Sequence, residues 1–196
     1  MTRHLLLPLG LLAILAAGCL PSALQDTTPD VAVLGVPADE LVPGAAGLLD
    51  DRLRAADTGF DFVSASTLRF LEVRRGLVGS QVVPGAARIA RTNGAEIAIT
   101  IGPDTLTREL EEIGRRYREQ VDMRLEVTIV RASDATVLAR LAGPRLTGER
   151  LIDEDALPPL DEDPLVASLR DESVDDLAPR VARELRRLAV SGSSAE

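Results

Sequence analysis

Two short runs, Val31-Ala32-Val33-Leu34-Gly35-Val36 and Ile97-Ala98-Ile99-Thr100-Ile101, are almost wholly apolar and carry no polar alternation. A run of that length with no solvent face reads as a strand covered on both sides. Strands of that kind demand helices to cover them, and the intervening sequence supplies candidates. After Pro43-Gly44, the leucines Leu48, Leu49 and Leu53 share one helical face that ends near Ala56, and Thr58-Gly59 breaks the pattern. Phe60-Asp61-Phe62-Val63 reads as a second strand, and Thr67 to Arg75 as a short helix before a loop flanked by Gly76 and Gly79. Pro84 suits a first helical turn; Ala87, Ile89 and Ala90 follow, and Asn93-Gly94 is a helix stop.

Further on, Leu106, Leu110, Ile113 and Tyr117 recur at helical spacing, with Glu111–Arg115 and Glu112–Arg116 as i,i+4 pairs, which predicts another helix. Arg124 to Arg131 alternates, placing Leu125, Val127 and Ile129 on one side and Arg124, Glu126 and Thr128 on the outer one. Val137 to Leu141 answers it across Ser133-Asp134-Ala135, an antiparallel hairpin. Ile152 to Pro164 is an acidic, proline-rich loop. Val174, Leu177, Val181, Leu185 and Leu188 stripe a last helix, with Pro179 in its first turn if the helix starts near Asp176 and at a kink if it starts at Ser173. The expected fold is a single three-layer α/β domain over residues 30–190. Its sheet is mixed and mostly parallel, with a carboxy-terminal antiparallel hairpin and helices on both faces. Right-handed crossovers would make the first three strands parallel. Residues 191–196 read as a disordered tail.

The start of the chain is of another kind. Arg3 and His4 precede an apolar run from Leu5 to Ala17, shorter than the ~20 residues of a bilayer span and interrupted by Pro8 and Gly10. Leu15-Ala16-Ala17-Gly18-Cys19 resembles the lipobox of bacterial lipoproteins, with Ala16 where leucine is commoner. The resemblance implies cleavage between Gly18 and Cys19 and diacylglyceryl and acyl (palmitate-type) chains on Cys19. Residues 1–18 are then a lipoprotein signal peptide and 19–29 a lipidated tether. A plain signal peptide would leave a lone thiol as an oxidation liability in an exported protein. One acyl chain, worth roughly 0.8 kcal/mol per buried methylene, holds only marginally, whereas two or three hold durably. Leu20, in place of an aspartate, points to the outer membrane of an envelope that sorts its lipoproteins, with the domain outside the cytoplasm. At ~3.5 Å per extended residue, the tether keeps the body within a few nanometres of the bilayer.

Composition narrows the function. The chain has 22 basic and 31 acidic residues for a net charge of −9, and loss of Arg3 with the leader lowers the mature value by one. Such a chain makes a poor nucleic-acid partner and gains nothing electrostatically from anionic lipid, so its membrane contact falls to the anchor. Every basic residue is arginine, the one histidine is His4, and Cys19 is the one cysteine. The mature chain therefore has no histidine base, no lysine for a Schiff base or P-loop and no His/Cys zinc site. Only carboxylates, Ser/Thr, Tyr117 or arginine could carry catalysis; no cofactor and no catalytic residue is expected.

The stretch Ala87-Arg88-Ile89-Ala90-Arg91-Thr92-Asn93-Gly94-Ala95-Glu96-Ile97-Ala98-Ile99-Thr100 resembles a helix end running into a buried strand in one group of envelope proteins. The group comprises curli-secretion-channel lipoproteins, lipoprotein activators of penicillin-binding proteins and the amino-terminal domain of the Tol-system propeller protein. Asp134-Ala135-Thr136 is similar to the hairpin of that group, with Val137 in place of its glycine. The resemblance spans roughly Val31 to Leu188. It implies a non-enzymatic, lipid-anchored protein that assembles with or regulates other envelope proteins, with self-association left open; a subunit of an envelope secretion complex is a variant of that reading. With three Phe and one Tyr, the chain lacks the aromatic girdles of a membrane barrel.

The rival is a carboxylate-dependent envelope hydrolase. Asp153, Glu154, Asp155, Asp161, Glu162 and Asp163 bracket a proline pair, and Asp171, Glu172, Asp175 and Asp176 follow. The first cluster lacks the glycine turn and spacing of a calcium loop and reads as a solvated acidic loop, so no metal site is expected. The Arg74-Arg75 and Arg115-Arg116 pairs read as solvated helix faces, and Tyr117 as the edge of the core.

Overall fold

The computed structural model describes residues 31–35, 42–63, 82–153 and 156–192. Its spine is a sixteen-residue strand, β3 (Arg116–Arg131), about 50 Å long at the usual rise per residue. One edge of β3 carries β2 (Ile97–Ile113), joined to it by a hairpin. The other edge carries β4 (Val137–Ala142) and then β5 (Leu146–Asp153), which follow one another along it with a break at Gly143-Pro144-Arg145. β1 (Val31–Gly35) lies parallel to the first five residues of β2, pairing Val31 with Ile97 and Gly35 with Ile101.

This topology overturns the expectation of a mostly parallel sheet. Three of the four strand pairings among the described residues are antiparallel, and they include the longest. Parallel pairing is confined to β1 against β2, with an isolated bridge from Val31 to Phe62. Phe60–Val63, expected as a strand, makes that bridge alone; Arg54 stacks over the Phe62 ring at 5.4 Å and donates to the carbonyls of Phe62 and Val63.

The main cause of the difference lies at Leu106–Tyr117, which is not a helix. It is the far end of β2, a two-residue turn at Gly114-Arg115 and the start of β3, with Ile113 paired to Arg116. Gly114 has φ 69°, the left-handed conformation that tight hairpin turns require. Glu111 consequently reaches Arg118 across the hairpin, at 3.0 Å, and not Arg115 along a helix. Thr128, expected on an outer face, is buried.

Among the described residues, three α-helices cover the sheet. α1 (Ala45–Arg54) and α3 (Pro164–Gly192) pack on one face, α2 (Val82–Thr92) on the other. Leu49 and Leu53 of α1 and Leu177, Val181 and Leu185 of α3 enclose the larger core with Ile97, Ile99, Ile101, Met123, Leu125, Val127 and Ile129 of the sheet. On the other face, Ala86, Ala87, Ile89 and Ala90 of α2 meet Ala98 and Val130, where small side chains let helix and sheet approach closely. α2 ends at the Asn93-Gly94 stop: Gly94 has φ 79°, its amide donates to the Arg91 carbonyl, and the Ala95 amide donates to the Ala90 carbonyl.

α3 begins about three turns before the expected start. Asp163 is its N-cap, accepting from the Leu165 amide at 2.8 Å, and Pro164 occupies the first helical position, where a missing amide costs nothing. Pro179 therefore lies inside the helix, on its exposed side; the carbonyl it leaves without an amide belongs to Asp175, itself exposed to water. The expected helix at Thr67–Arg75, the glycine loop after it, residues 1–30 and the tail from 193 lie outside the described residues.

The break between β4 and β5 packs tightly. A Cβ at Gly143 would stand 2.9 Å from Ser173 Oγ, 3.2 Å from the Leu125 carbonyl and 3.2 Å from Leu177 Cδ1. Because one of these neighbours is backbone in the middle of β3, Gly143→Ala should cost about 1–3 kcal/mol by urea unfolding. An unchanged midpoint would show that α3 can withdraw freely from the sheet.

Candidate functional site: a three-stranded arm and its buried ion square

Beyond the reach of β1 and β4, the sheet as described narrows to three strands: Thr105–Ile113 of β2, Arg116–Arg124 of β3 and Leu146–Asp153 of β5. The bulge at Asp104 sets the register of this arm. After it, Leu106, Arg108, Leu110 and Glu112 share the α3 face with Met123, Val121, Glu119 and Tyr117 opposite them, and these in turn with Leu146, Gly148, Arg150 and Ile152. Near the sheet body this face is apolar and covered. Gly148 allows Leu165 and Leu169 of α3 to lie directly on β5, since a Cβ there would fall 2.6 Å from Leu165 Cδ1.

Further out, the apolar cover gives way to a closed square of charges. Glu119 of β3 accepts from Arg108 of β2 on one carboxylate oxygen and from Arg150 of β5 on the other. Asp163, at the start of α3, accepts from the same two guanidiniums at 2.8 and 2.7 Å. Both carboxylate side chains are 0% exposed, and the two arginines only 14% and 24%. The four charges cancel formally, each comes from a different element, and each carboxylate bridges both cations. Arg108 also donates to the Pro158 carbonyl at 2.9 Å, which fastens the acidic loop to the arm. Charges taken out of water this far are tolerable only when every one is paired.

The sequence-predicted residues are thus dispersed. Asp163 is a buried structural carboxylate, while Asp161 and Glu162 are exposed, Asp153 pairs with Arg116 at 3.0 Å, and Glu154 and Asp155 lie outside the described residues. On α3, Asp171 pairs with Arg170, Asp175 with Arg52 and Asp176 with Arg180. Among the described residues no cluster has the make-up of a metal site. Glu119 and Asp163 form the one buried acidic pair described, and guanidiniums occupy both while protein excludes water. Arg115 and Arg116 stand at the hairpin tip, not on a helix face. Tyr117 is half-buried in β3. Arg74, Arg75, Gly18 and Cys19 lie outside the described residues.

The other face of the arm is open and charged. Asp122 accepts from the Thr147 hydroxyl and from Arg145 at 3.4 Å, binding β3 to the start of β5. The Thr147 hydroxyl foremost, then the Arg145 charge, holds the Asp122 carboxyl below the ordinary carboxylate range. Apolar side chains also surface near the tip: Leu110 is 44% exposed, Ile113 40% and Leu151 59%. No described helix is long and apolar enough to cross a membrane.

No family model and no curated protein matches the chain. Among solved structures it is similar to lipoprotein GNA1162 from Neisseria meningitidis (TM-score 0.39, 9% identity, covering 80% of this chain and 99% of that one). It is similar also to a minor lipoprotein from Acinetobacter baumannii (TM-score 0.33, 12% identity, 82% and 92% coverage). A third is a PelC dodecamer from Paraburkholderia phytofirmans (TM-score 0.34, 13% identity, 81% and 86% coverage). These are distant likenesses of chain course, and the role of this chain rests on its own residues.

Replacing Glu119 by Gln leaves two buried guanidiniums facing one carboxylate. The loss in urea unfolding should be about 3 kcal/mol or more, and a loss below about 1 kcal/mol would show the square to be solvated. Asp122 acts on the acid side. Its folded value lies below its unfolded one, so its contribution is complete above about pH 4 and is lost as pH falls through the folded value. Asp122→Asn should therefore flatten the fall in stability with acidification, measured by unfolding at a series of pH values; an unaltered slope would contradict this.

Proposed function

We propose that this chain is a lipid-anchored cell-envelope protein that works by docking, assembling or regulating other envelope proteins without catalysing a reaction. The observation that carries the reading is Cys19: the one cysteine of the chain stands directly after a basic start, an apolar run and three small residues. Residues 1–18 are the leader removed before it, residues 19–29 the tether, and the domain begins near residue 30. Cys19 is the lipidated residue, Leu20 directs the anchor to the outer membrane where one exists, and the domain sits outside the cytoplasm.

The chemistry of the rest supports a contact role. The charged groups of the described domain are largely committed to one another, and its accessible features are strand edges, charged rims and scattered apolar side chains at the arm tip. The acidic balance gives no electrostatic hold on anionic lipid, so the acyl chains bear the attachment.

The test is Cys19→Ala in the native host, followed by membrane fractionation and mass spectrometry. The expected result is a protein that loses its acyl mass and moves from the membrane fraction to the soluble or precursor pool. A variant that still fractionates with membranes, at the same mature mass as the wild type, would overturn the reading.

A further inference from the structure

The arm carries a strand edge with an unusual charge. β1 stops at the level of Ile101, so among the described residues nothing pairs with the outer edge of β2 from Leu106 to Ile113. Open edges of this length invite a further strand, and proteins guard them with prolines, bulges or charges. Here Pro103 and the bulge at Asp104 guard only its beginning. Along the rest, the charges are of one sign: Glu109, Glu111 and Glu112 are all exposed. Arg108, the one cation on this edge, is turned into the ion square and cannot offset them. Glu111 has Arg118 as partner, while Glu109 and Glu112 take no part in any ion pair among the described residues. Leu110 on one face and Ile113 on the other add apolar surface beside them.

We propose that this edge of β2 is a docking site for an extended, basic segment of a partner protein, which joins the sheet as a further strand. Main-chain hydrogen bonds supply sequence-tolerant affinity, and alternate side chains of the incoming strand meet Leu110 and Ile113 and the glutamates. Charge selects the partner and excludes a second copy of this chain. Antiparallel pairing of two such edges about Leu110 sets Glu109 of each copy opposite Glu111 of the other, and like charges directly opposite are destabilising. The rival edge on β5 carries less free charge: Arg150 is turned into the ion square, Asp153 is paired with Arg116, and Glu149 is left exposed. The ion square keeps the docking edge rigid, so that little ordering is left to be done on binding.

The inference rests on the docking role proposed above, but not on the anchor. The test titrates the purified full-length chain into a labelled short peptide alternating lysine with valine, read by fluorescence anisotropy. Two control peptides accompany it: one alternating glutamate with valine, and the lysine peptide methylated on alternate amides. The lysine peptide should bind and the other two should not. Glu109→Lys with Glu111→Lys and Glu112→Lys should weaken binding about tenfold or more, the sum of three surface ion pairs. These side chains are exposed and the one ion pair lost, Glu111–Arg118, is a surface pair, so the variant should unfold cooperatively and only slightly below the wild-type midpoint. Equal binding of the methylated peptide, indifference to the charge reversal, or dimerisation of the wild-type chain through this edge in sedimentation would each overturn the proposal. The same titration with Cys19→Ala separates the two claims: unchanged binding there upholds the edge even where the tether fails, and membrane attachment without peptide binding overturns the edge alone.

Discussion

Everything distinctive about this domain depends on how far its sheet can extend past its helices. Three strands outrun the apolar cover of α3, and a bare three-stranded ribbon has little to hold it in place. The ion square of Arg108, Glu119, Arg150 and Asp163 takes over where leucine contacts end. It draws one residue from each of three strands and one from the helix start, so it closes strand, strand, strand and helix into a single unit. A buried ionic group of this kind is weak evidence for net stability, because a well-packed apolar cluster of equal volume would do as well. What it adds is direction: charges pair only in one register, whereas apolar strands can slip.

Much of the domain was legible because the signals are local. The helix stop at Asn93-Gly94, the strands at Val31 and Ile97 and the hairpin around Asp134-Ala135 are each decided by neighbours in sequence, and each stands in the structure. The misreading at Leu106–Tyr117 has a physical cause. Residues four apart, such as Leu106 and Leu110, lie on one face of a helix and equally on one face of a strand. Only Ile113, which falls on the opposite strand face, and Gly114, which demands a left-handed backbone, separate the two. β5 was hidden because Gly148 breaks its apolar pattern for the benefit of α3, and Arg150 points inward to a partner that sequence cannot reveal. The start of α3 was hidden inside an acidic stretch. Asp163-Pro164 is a cap and first turn, but it looks like the end of a loop when read beside Asp161 and Glu162.

The candidate site was the least legible part, for the same reason. The four members of the square span residues 108 to 163, and nothing local marks them as partners. The acidic loop drew attention as a cluster, yet the structure disperses it: one carboxylate goes into the square, one to Arg116, others to water. Membrane attachment stands apart. It is proposed from the local sequence at Cys19, which lies outside the described residues, and no feature of the domain bears on it. The two proposals are complementary in kind: a short lipidated tether would fix where the molecule is, and a stiffened, acidic strand edge would fix what it can meet there.

The central claim is that the arm belongs to the same cooperative unit as the sheet body. Native-state hydrogen exchange along β3 tests it most directly, because one strand runs through both regions. The amides of Tyr117–Met123 should exchange through the same opening, with the same denaturant dependence, as those of Val127–Val130. Exchange of the first group through a separate, low-energy fraying, independent of denaturant, would contradict it.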